Sequence, residues 1–390
     1  MSLRIAMVAG EASGDLLASH LIAALRLHLP DARFEGIGGP KMVAQGFDAW
    51  WPAETLSVNG FSDALKRYRE LSGIRSALKK RLLAEPPDIF IGVDAPDFNL
   101  DLEAALKSRG IPTIHYVSPS IWAWRGGRIR KIGRAVSHIL ALFPFEPPLY
   151  EKAGIPVTYV GHPLADLLPM NPDRSGVREL LGLPDKAPIF ALLPGSRQGE
   201  LRFLADTFIE TARKVFEALP NARFLVPLAT RETRLLFEEA LYRCNAGDLP
   251  IKMLFGHAHE AMTAADGVLV ASGTATLEAA LLKRPMVIAY KLASFSHFLM
   301  KRMGYLPYVG LPNILAGRFV VPEFIQNDAT PEKLAEALLA QYADKEGCAA
   351  IVSEFEHIHR ALQQKTAERA AAAVIDCLRA AGKNRGLAVA

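Results

Sequence analysis

The sequence predicts an α/β protein of two Rossmann-like domains, with parallel sheets whose strand ends face a central cleft. Three observations predict it. Short apolar runs alternate with helix-length stretches along nearly the whole chain. The alternation falls into two series, and a proline-rich segment with little periodicity separates them. At 390 residues, 50% of them hydrophobic, the chain is long enough for two cores.

The first series of strand candidates is RIAMVAG (4–10), ARFEGIGG (32–39), DIFIGVD (88–94), TIHYVS (113–118), HILALF (138–143) and VTYVG (157–161). The second is IFALLPG (189–195), RFLVPLA (223–229), IKMLF (251–255), GVLVAS (267–272) and MVIAYK (286–291). Helix-length segments at 14–29, 99–109, 200–218, 231–245, 258–265, 275–283 and 331–342 flank them. Repeated β-α units of this kind imply parallel strands joined by right-handed crossovers. GHPLADLLPMNPDRSG (161–176) reads as the interdomain linker, and the alanine-rich stretch of 350–382 reads as helical. The expected boundaries are therefore 1–165, 166–355 and a helical tail, 356–390.

Composition excludes several classes. No window reaches the roughly 18 uninterrupted apolar residues of a spanning helix. The first residues run straight into RIAMVAG, so a secretory leader is not expected. Cys244, Cys348 and Cys377 lie far apart, which suggests neither a disulfide framework nor a zinc knuckle. The expectation is a cytoplasmic protein. The net charge of +4 says less than its distribution. Residues 64–82 place Lys66, Arg67, Arg69, Arg75, Lys79, Lys80 and Arg81 among Leu65, Tyr68, Leu71, Ile74, Leu78 and Leu82 at helical spacing. Such a helix fits an anionic membrane surface, though a core-facing helix with a solvated basic face is the commoner origin of this pattern.

VAGEASGD (8–15) ends the first strand and begins a helix, the usual place for a phosphate loop. It matches neither phosphate fingerprint: Gly10 and Gly14 are too close for a Walker loop, Asp15 stands where the lysine belongs, and GxGxxG is absent. Ser13 or Asp15 can cap the following helix. Alternatively Glu11 and Ser13 bind sugar hydroxyls, for which a carboxylate is suited.

The second half offers better anion sites. Pro194-Gly195-Ser196-Arg197 lies between a strand and a helix that begins near Glu200, so free amides, a hydroxyl and a guanidinium converge. Arg197 can also simply pair with Glu200. Ser272-Gly273-Thr274 repeats the arrangement, and Glu278 is placed to accept both hydroxyls of a ribose or to stabilise the helix dipole. Two such loops in one domain point to a nucleotide diphosphate.

In the first half, DIFIGVDAPDFN carries Asp94, Asp97 and Asn99 past the end of a strand. A carboxylate there can remove a proton from an acceptor hydroxyl, while helix capping is the plainer role for Asp97 or Asn99. YVSPSIWAWRGGRIRKIGRA (116–135) joins Trp122 and Trp124 to five basic residues, suited to lipid headgroups, a phosphorylated substrate or simple packing. FSHFLMKRMGYLPYVGLPNILAG (295–317) is likewise aromatic and basic, and contains Asn313. His257 and His259 lie two apart without HExxH or a DxD cluster, so bound metal is not expected.

Taken together, AGEASGD, GVDAPDFN, YVSPSIWAW, LPGSRQGE, SGTATLEAAL, KRPMVIAYK and LPNILAGR, in this order across nearly the whole chain, resemble the lipid-A-disaccharide synthase family. The resemblance implies the GT-B fold and an inverting hexosyl transfer without metal or cofactor. The substrates implied are UDP-2,3-diacylglucosamine and 2,3-diacylglucosamine 1-phosphate, and the products are the β-1′,6-linked disaccharide 1-phosphate and UDP. It implies UDP binding by Gly195, Ser196, Arg197, Gly256, Ser272, Gly273, Thr274, Glu278 and Asn313, and Asp97 as general base. Glu11, Ser13, Asp94 and Asn99 fall on the acceptor side. It places the protein peripherally on the inner face of the bacterial inner membrane, as a homodimer. Membrane contact falls to Leu65, Lys66, Arg67, Tyr68, Arg69, Leu71, Trp122 and Trp124. Ser62, Ala64 and Ser72 interrupt that helix's apolar positions, so its hold on a membrane is expected to rest more on charge. The rival readings are another UDP-sugar enzyme of the same fold, such as a 2-epimerase, and a non-catalytic lipid-binding protein.

Overall fold

A computed structural model describes residues 2–56, 61–122, 126–291 and 307–383. The chain forms two compact units, Met1–Asp166 with Leu362–Ala390 and Leu167–Ala361.

The first unit holds β1 (Arg4–Ala9), β2 (Arg33–Gly38), β3 (Phe47–Pro52), β4 (Ile89–Val93), β5 (Thr113–Tyr116), β6 (His138–Ala141) and β7 (Val157–Tyr159). They form a parallel sheet in the order β3-β2-β1-β4-β5-β6-β7. β1 shows why such strands read as unbroken apolar runs. Ile5, Met7 and Ala9 join the core on one face, with Leu17, Leu21 and Leu25 of helix Ala12–His28. Ala6 and Val8 join the other, with Phe90, Leu102 and Leu106. A strand buried on both faces has no polar side to alternate with.

Helix Thr366–Ala380 lays Ala370, Val374 and Leu378 on the first of these cores, so the end of the chain folds with the first unit. Asp166, the last residue before the chain leaves that unit, accepts the N–H groups of Lys365 (3.0 Å) and Thr366 (2.6 Å) where it returns. Helix Phe61–Ala84 buries Leu78 and Leu82 against the second core and lays the Arg81 guanidinium 3.6 Å above the Trp50 ring. Its Leu71 is half-buried; the side chains of Leu65, Lys66, Arg67, Tyr68 and Arg69 lie outside the described residues.

The second unit holds β8 (Ile189–Leu193), β9 (Arg223–Leu228), β10 (Ile251–Phe255), β11 (Gly267–Ala271), β12 (Met286–Tyr290) and β13 (Glu323–Ile325). Its parallel order is β10-β9-β8-β11-β12-β13. Phe190, Leu192, Phe208, Phe224, Val226 and Leu269 centre its core.

Two strands escape the sequence reading, and both lie at sheet edges. β3, FDAWWP, is half-exposed, pairs with β2 across a register shift and ends in proline. β13 has only three residues. Among the described residues, no helix is long and apolar enough to cross a membrane.

Candidate active site

Strand order reverses between β1 and β4 in the first unit and between β8 and β11 in the second. In open α/β sheets the ligand crevice opens at such switch points, beyond the carboxyl ends of the strands. The loops singled out from sequence sit at these four strand ends.

In the second unit, the loops after β8 and β11 enclose a cavity of about 480 Å³. Gly195, Ser196, Arg197, Gly256, Ser272, Gly273, Thr274 and Glu278 all line it, joined by Glu200, Tyr290 and the end of β9. Gly273 (φ 148°) leads into helix Thr274–Leu281 without a side-chain cap, which leaves the first amides of that helix for an anion. The Ser272 hydroxyl is turned aside, donating to the Val309 carbonyl at 3.1 Å. Gly195 (φ 125°) lets Glu200 close on the other loop, where its Oε2 accepts the N–H groups of Ser196 (3.1 Å) and Arg197 (3.3 Å). These amides therefore already face an anionic group. The Arg197 guanidinium stays exposed, 3.9 Å from Glu200, too far for a tight pair. Glu278 Oε2 lies 3.1 Å from His259 Nε2, and this hydrogen bond raises the imidazole's pKa.

Asn313 lies outside this cavity. It is fully buried, and its amide donates to the Val321 carbonyl (2.9 Å) and Glu323 (2.8 Å), while its oxygen accepts from Val320 (2.7 Å) and Val321 (3.0 Å). All four of these hydrogen bonds are made within the protein. Glu323 also accepts the amides of Val309 and Gly310.

In the first unit, Glu11 and Ser13 are exposed at the start of their helix and make no cap. Asp15 is buried and does not cap that helix either; it closes the start of the next one, Pro40–Ala44. A Cβ at Gly10 would stand 3.5 Å from the Ala95 Cβ, so the β1 and β4 loops touch. Asp94 (φ 53°) and Ala95 (φ 44°) take left-handed conformations in succession, a strained turn held from below. Asn99, fully buried, donates to the Asp94 carbonyl at 2.8 Å and so supports the turn. One helical turn deeper, Glu103 and His115 form a fully buried pair at 2.7 Å, for which Gly92 leaves the room.

Asp97 emerges from this turn in the first turn of helix Pro96–Lys107, with 75% of its side chain exposed, and pairs with Arg128. Arg75 reaches the Asp97 carbonyl at 3.3 Å and the Asp101 carboxylate at 3.1 Å. Lys131 binds Asp101 at 2.6 Å, and that hydrogen bond draws the Asp101 pKa down. Arg128 thus meets the accessible Asp97 carboxylate, while Arg75 and Lys131 hold Asp101 one turn on.

Trp122 is half-buried in an aromatic group with Phe145 (centroids 5.1 Å) and Phe143 (6.5 Å). Its Nε1 donates to Glu146 at 3.1 Å. Trp124 lies outside the described residues.

Sequence reasoning missed the Glu200 cap on the phosphate-type amides, although the spacing Arg197–Glu200 of a capping box carried the signal. It also missed the His259–Glu278 pair and Tyr290, which nothing local marks.

A family model described as lipid-A-disaccharide synthetase matches residues 5–375. A lipid-A-disaccharide synthase of Dechloromonas aromatica (strain RCB) is 69% identical, over 97% of this chain and 99% of its own. That of Aromatoleum aromaticum is 66% identical over 97% of each chain. Among solved structures, the calicheamicin glycosyltransferase CalG4 is similar at TM-score 0.62 and 16% identity, over 97% of this chain and 99% of that one. A UDP-GlcNAc 2-epimerase from Neisseria meningitidis reaches 0.64 at 12% identity, over 97% and 100%. These structures share the fold, two parallel-sheet α/β domains of GT-B type.

Proposed function

This chain belongs to the lipid-A-disaccharide synthase family, and we propose that it moves 2,3-diacylglucosamine from its UDP derivative to 2,3-diacylglucosamine 1-phosphate. The observation that carries the reading, beyond family membership, is the convergence of two helix-start loops, an exposed guanidinium and Glu278 on one cavity in the second unit. The diphosphate of the donor sits on the amides of the β8 and β11 loops, displacing the Glu200 carboxylate, and Glu278 accepts the ribose hydroxyls. Amides and Arg197 stabilise the charge that grows on the leaving diphosphate.

The first unit supplies the base. Asp97 takes the proton of the acceptor's 6-hydroxyl as that oxygen bonds to C1 of the donor sugar. The bond from C1 to the diphosphate oxygen breaks on the opposite face, the electron pair leaves with UDP, and the configuration inverts. An exposed, strain-held turn presents the carboxylate, and Arg128 steadies it. Glu11, Ser13 and Asp94 belong to the same strand ends and are assigned to the acceptor.

We also assign the protein a peripheral place on the inner face of the inner membrane, through the basic helix Phe61–Ala84, and a homodimeric state. Replacing Lys66, Arg67 and Arg69 by glutamate is expected to abolish co-sedimentation with anionic vesicles; unchanged sedimentation removes this helix from the account. For the reaction, donors are compared in detergent micelles. Acylated donor plus acceptor is expected to release UDP, and non-acylated UDP-sugar is not. Conversion of the non-acylated sugar to its epimer overturns the assignment.

A further inference from the structure

Glu278 enters the cavity wall with a partner behind it. Its Oε2 is bound to His259 Nε2 at 3.1 Å, and among the described residues this is the only hydrogen bond to its carboxylate. The two side chains come from different elements, Glu278 from helix Thr274–Leu281 and His259 from helix Ala258–Ala264 after β10. Glu278 lines the cavity and His259 does not. The imidazole therefore grips the carboxylate from outside the space a nucleotide occupies.

We propose that His259 is a positioning residue for nucleotide binding: it fixes one oxygen of Glu278 so that the other is presented to the ribose hydroxyls of a nucleoside diphosphate. The inference rests on the assignment of Glu278 to the ribose. A free glutamate side chain samples many rotamers, and freezing one on binding weakens the contact; a tether in the unbound protein removes that loss. The groups facing His259 suit this role. Glu278 lies across from it, and on its own segment Glu260 is engaged by His257 at 3.2 Å. The bond to Glu278 raises the pKa of His259, which favours the charged donor and a charge-assisted contact.

The test is a comparison of UDP with 2′,3′-dideoxy-UDP by titration calorimetry, on the wild-type protein and on His259→Ala, His259→Gln and Glu278→Ala. His259 is 43% exposed at its side chain, so its replacement leaves the core intact. The wild-type protein is expected to prefer UDP. His259→Ala should lose about tenfold in affinity for UDP and little for the dideoxy compound, the size of one good hydrogen bond. His259→Gln, which keeps an N–H donor, should recover most of the preference. If His259→Ala weakens both ligands equally, or keeps the wild-type ratio while Glu278→Ala loses it, the inference is overturned and the ribose assignment stands. If Glu278→Ala keeps the wild-type ratio, the ribose assignment falls and the inference falls with it.

Discussion

Gly39 and Asp15 are in direct contact: the Gly39 N–H donates to Asp15 Oδ1 at 3.0 Å, and a Cβ on residue 39 would stand 2.6 Å from the Asp15 carboxyl carbon. Only glycine lets the carboxylate this close. The same carboxylate takes the amides of Lys41 and Met42, each at 3.0 Å, and so closes the start of helix Pro40–Ala44. The acidic end of GEASGD is thus a structural clamp, while its beginning, Glu11 and Ser13, is exposed.

The clamp predicts a stability effect without a nucleotide effect. Asp15→Ala strands three amides in a buried place and is expected to cost about 2–4 kcal/mol. Gly39→Ala should behave alike, since the added carbon collides with the carboxylate. Both should lower the denaturation midpoint of the first unit while UDP affinity, a property of the second, stays at the wild-type value. A shift in UDP affinity of the same size would place this loop at the nucleotide after all.

Asp97→Ala is expected to lower kcat by a factor on the order of 10²–10⁴, the usual contribution of a positioned base, with UDP affinity unchanged. Arg128→Ala should lower kcat less, because the carboxylate survives without its partner. Near-normal turnover of Asp97→Ala would transfer the role to Asp94, the other carboxylate of the turn.

Arg197→Ala should raise the dissociation constant of UDP about 10–100-fold, as befits a charge-assisted contact to phosphate. Arg197→Lys should recover only part, since a point charge cannot reproduce the guanidinium fork. Asn313→Ala should instead lower thermal stability, because its four hydrogen bonds all stay within the protein. Equal and exclusive losses of UDP affinity in both variants would contradict this division of labour.

Glu146 predicts a pH effect whose sign is fixed by burial. Desolvation raises its pKa from 4.5 to about 7 despite hydrogen bonds from Phe143, Ser118 and Trp122. A carboxyl raised on folding contributes stability that is full below pH 4.5 and is lost as pH climbs through 7. The loss amounts to about 3 kcal/mol. Glu146→Gln does not titrate, so its melting temperature relative to wild type should rise between pH 4.5 and 7. His162 works in the opposite direction, since burial lowers it to about 4 and its contribution is lost as pH falls from 6.5. It cancels in the comparison of the two proteins. A difference that does not change with pH would mean that Glu146 is ionised throughout.

The parts legible in the sequence were those written locally. β-α alternation needs only buried strands and amphipathic helices, and loops such as Ser272–Thr274 announce themselves by glycine and hydroxyl residues between a strand and a helix. Edge strands lacked that signal: β3 keeps half its surface in water, so its side chains carry no unbroken apolar run. Residues whose partners lie far along the chain were illegible in role. Asp15 reads as a cap for its own helix because its amides come from 24 to 27 residues away. The full burial of Asn99 and Asn313 was not legible either, because nothing in their neighbours' identities reveals it. Glu278, expected at a ribose from its place near a helix start, lines the cavity, while His259, 19 positions earlier, gave no sign of holding it.

The measurement closest to the central claim is mass spectrometry of the products formed from UDP-2,3-diacylglucosamine and 2,3-diacylglucosamine 1-phosphate. UDP and a tetra-acylated disaccharide 1-phosphate are expected, formed only when both substrates are present and lost in Asp97→Ala. Recovery of both substrates unchanged, or of an isomerised UDP-sugar with no disaccharide, would contradict it.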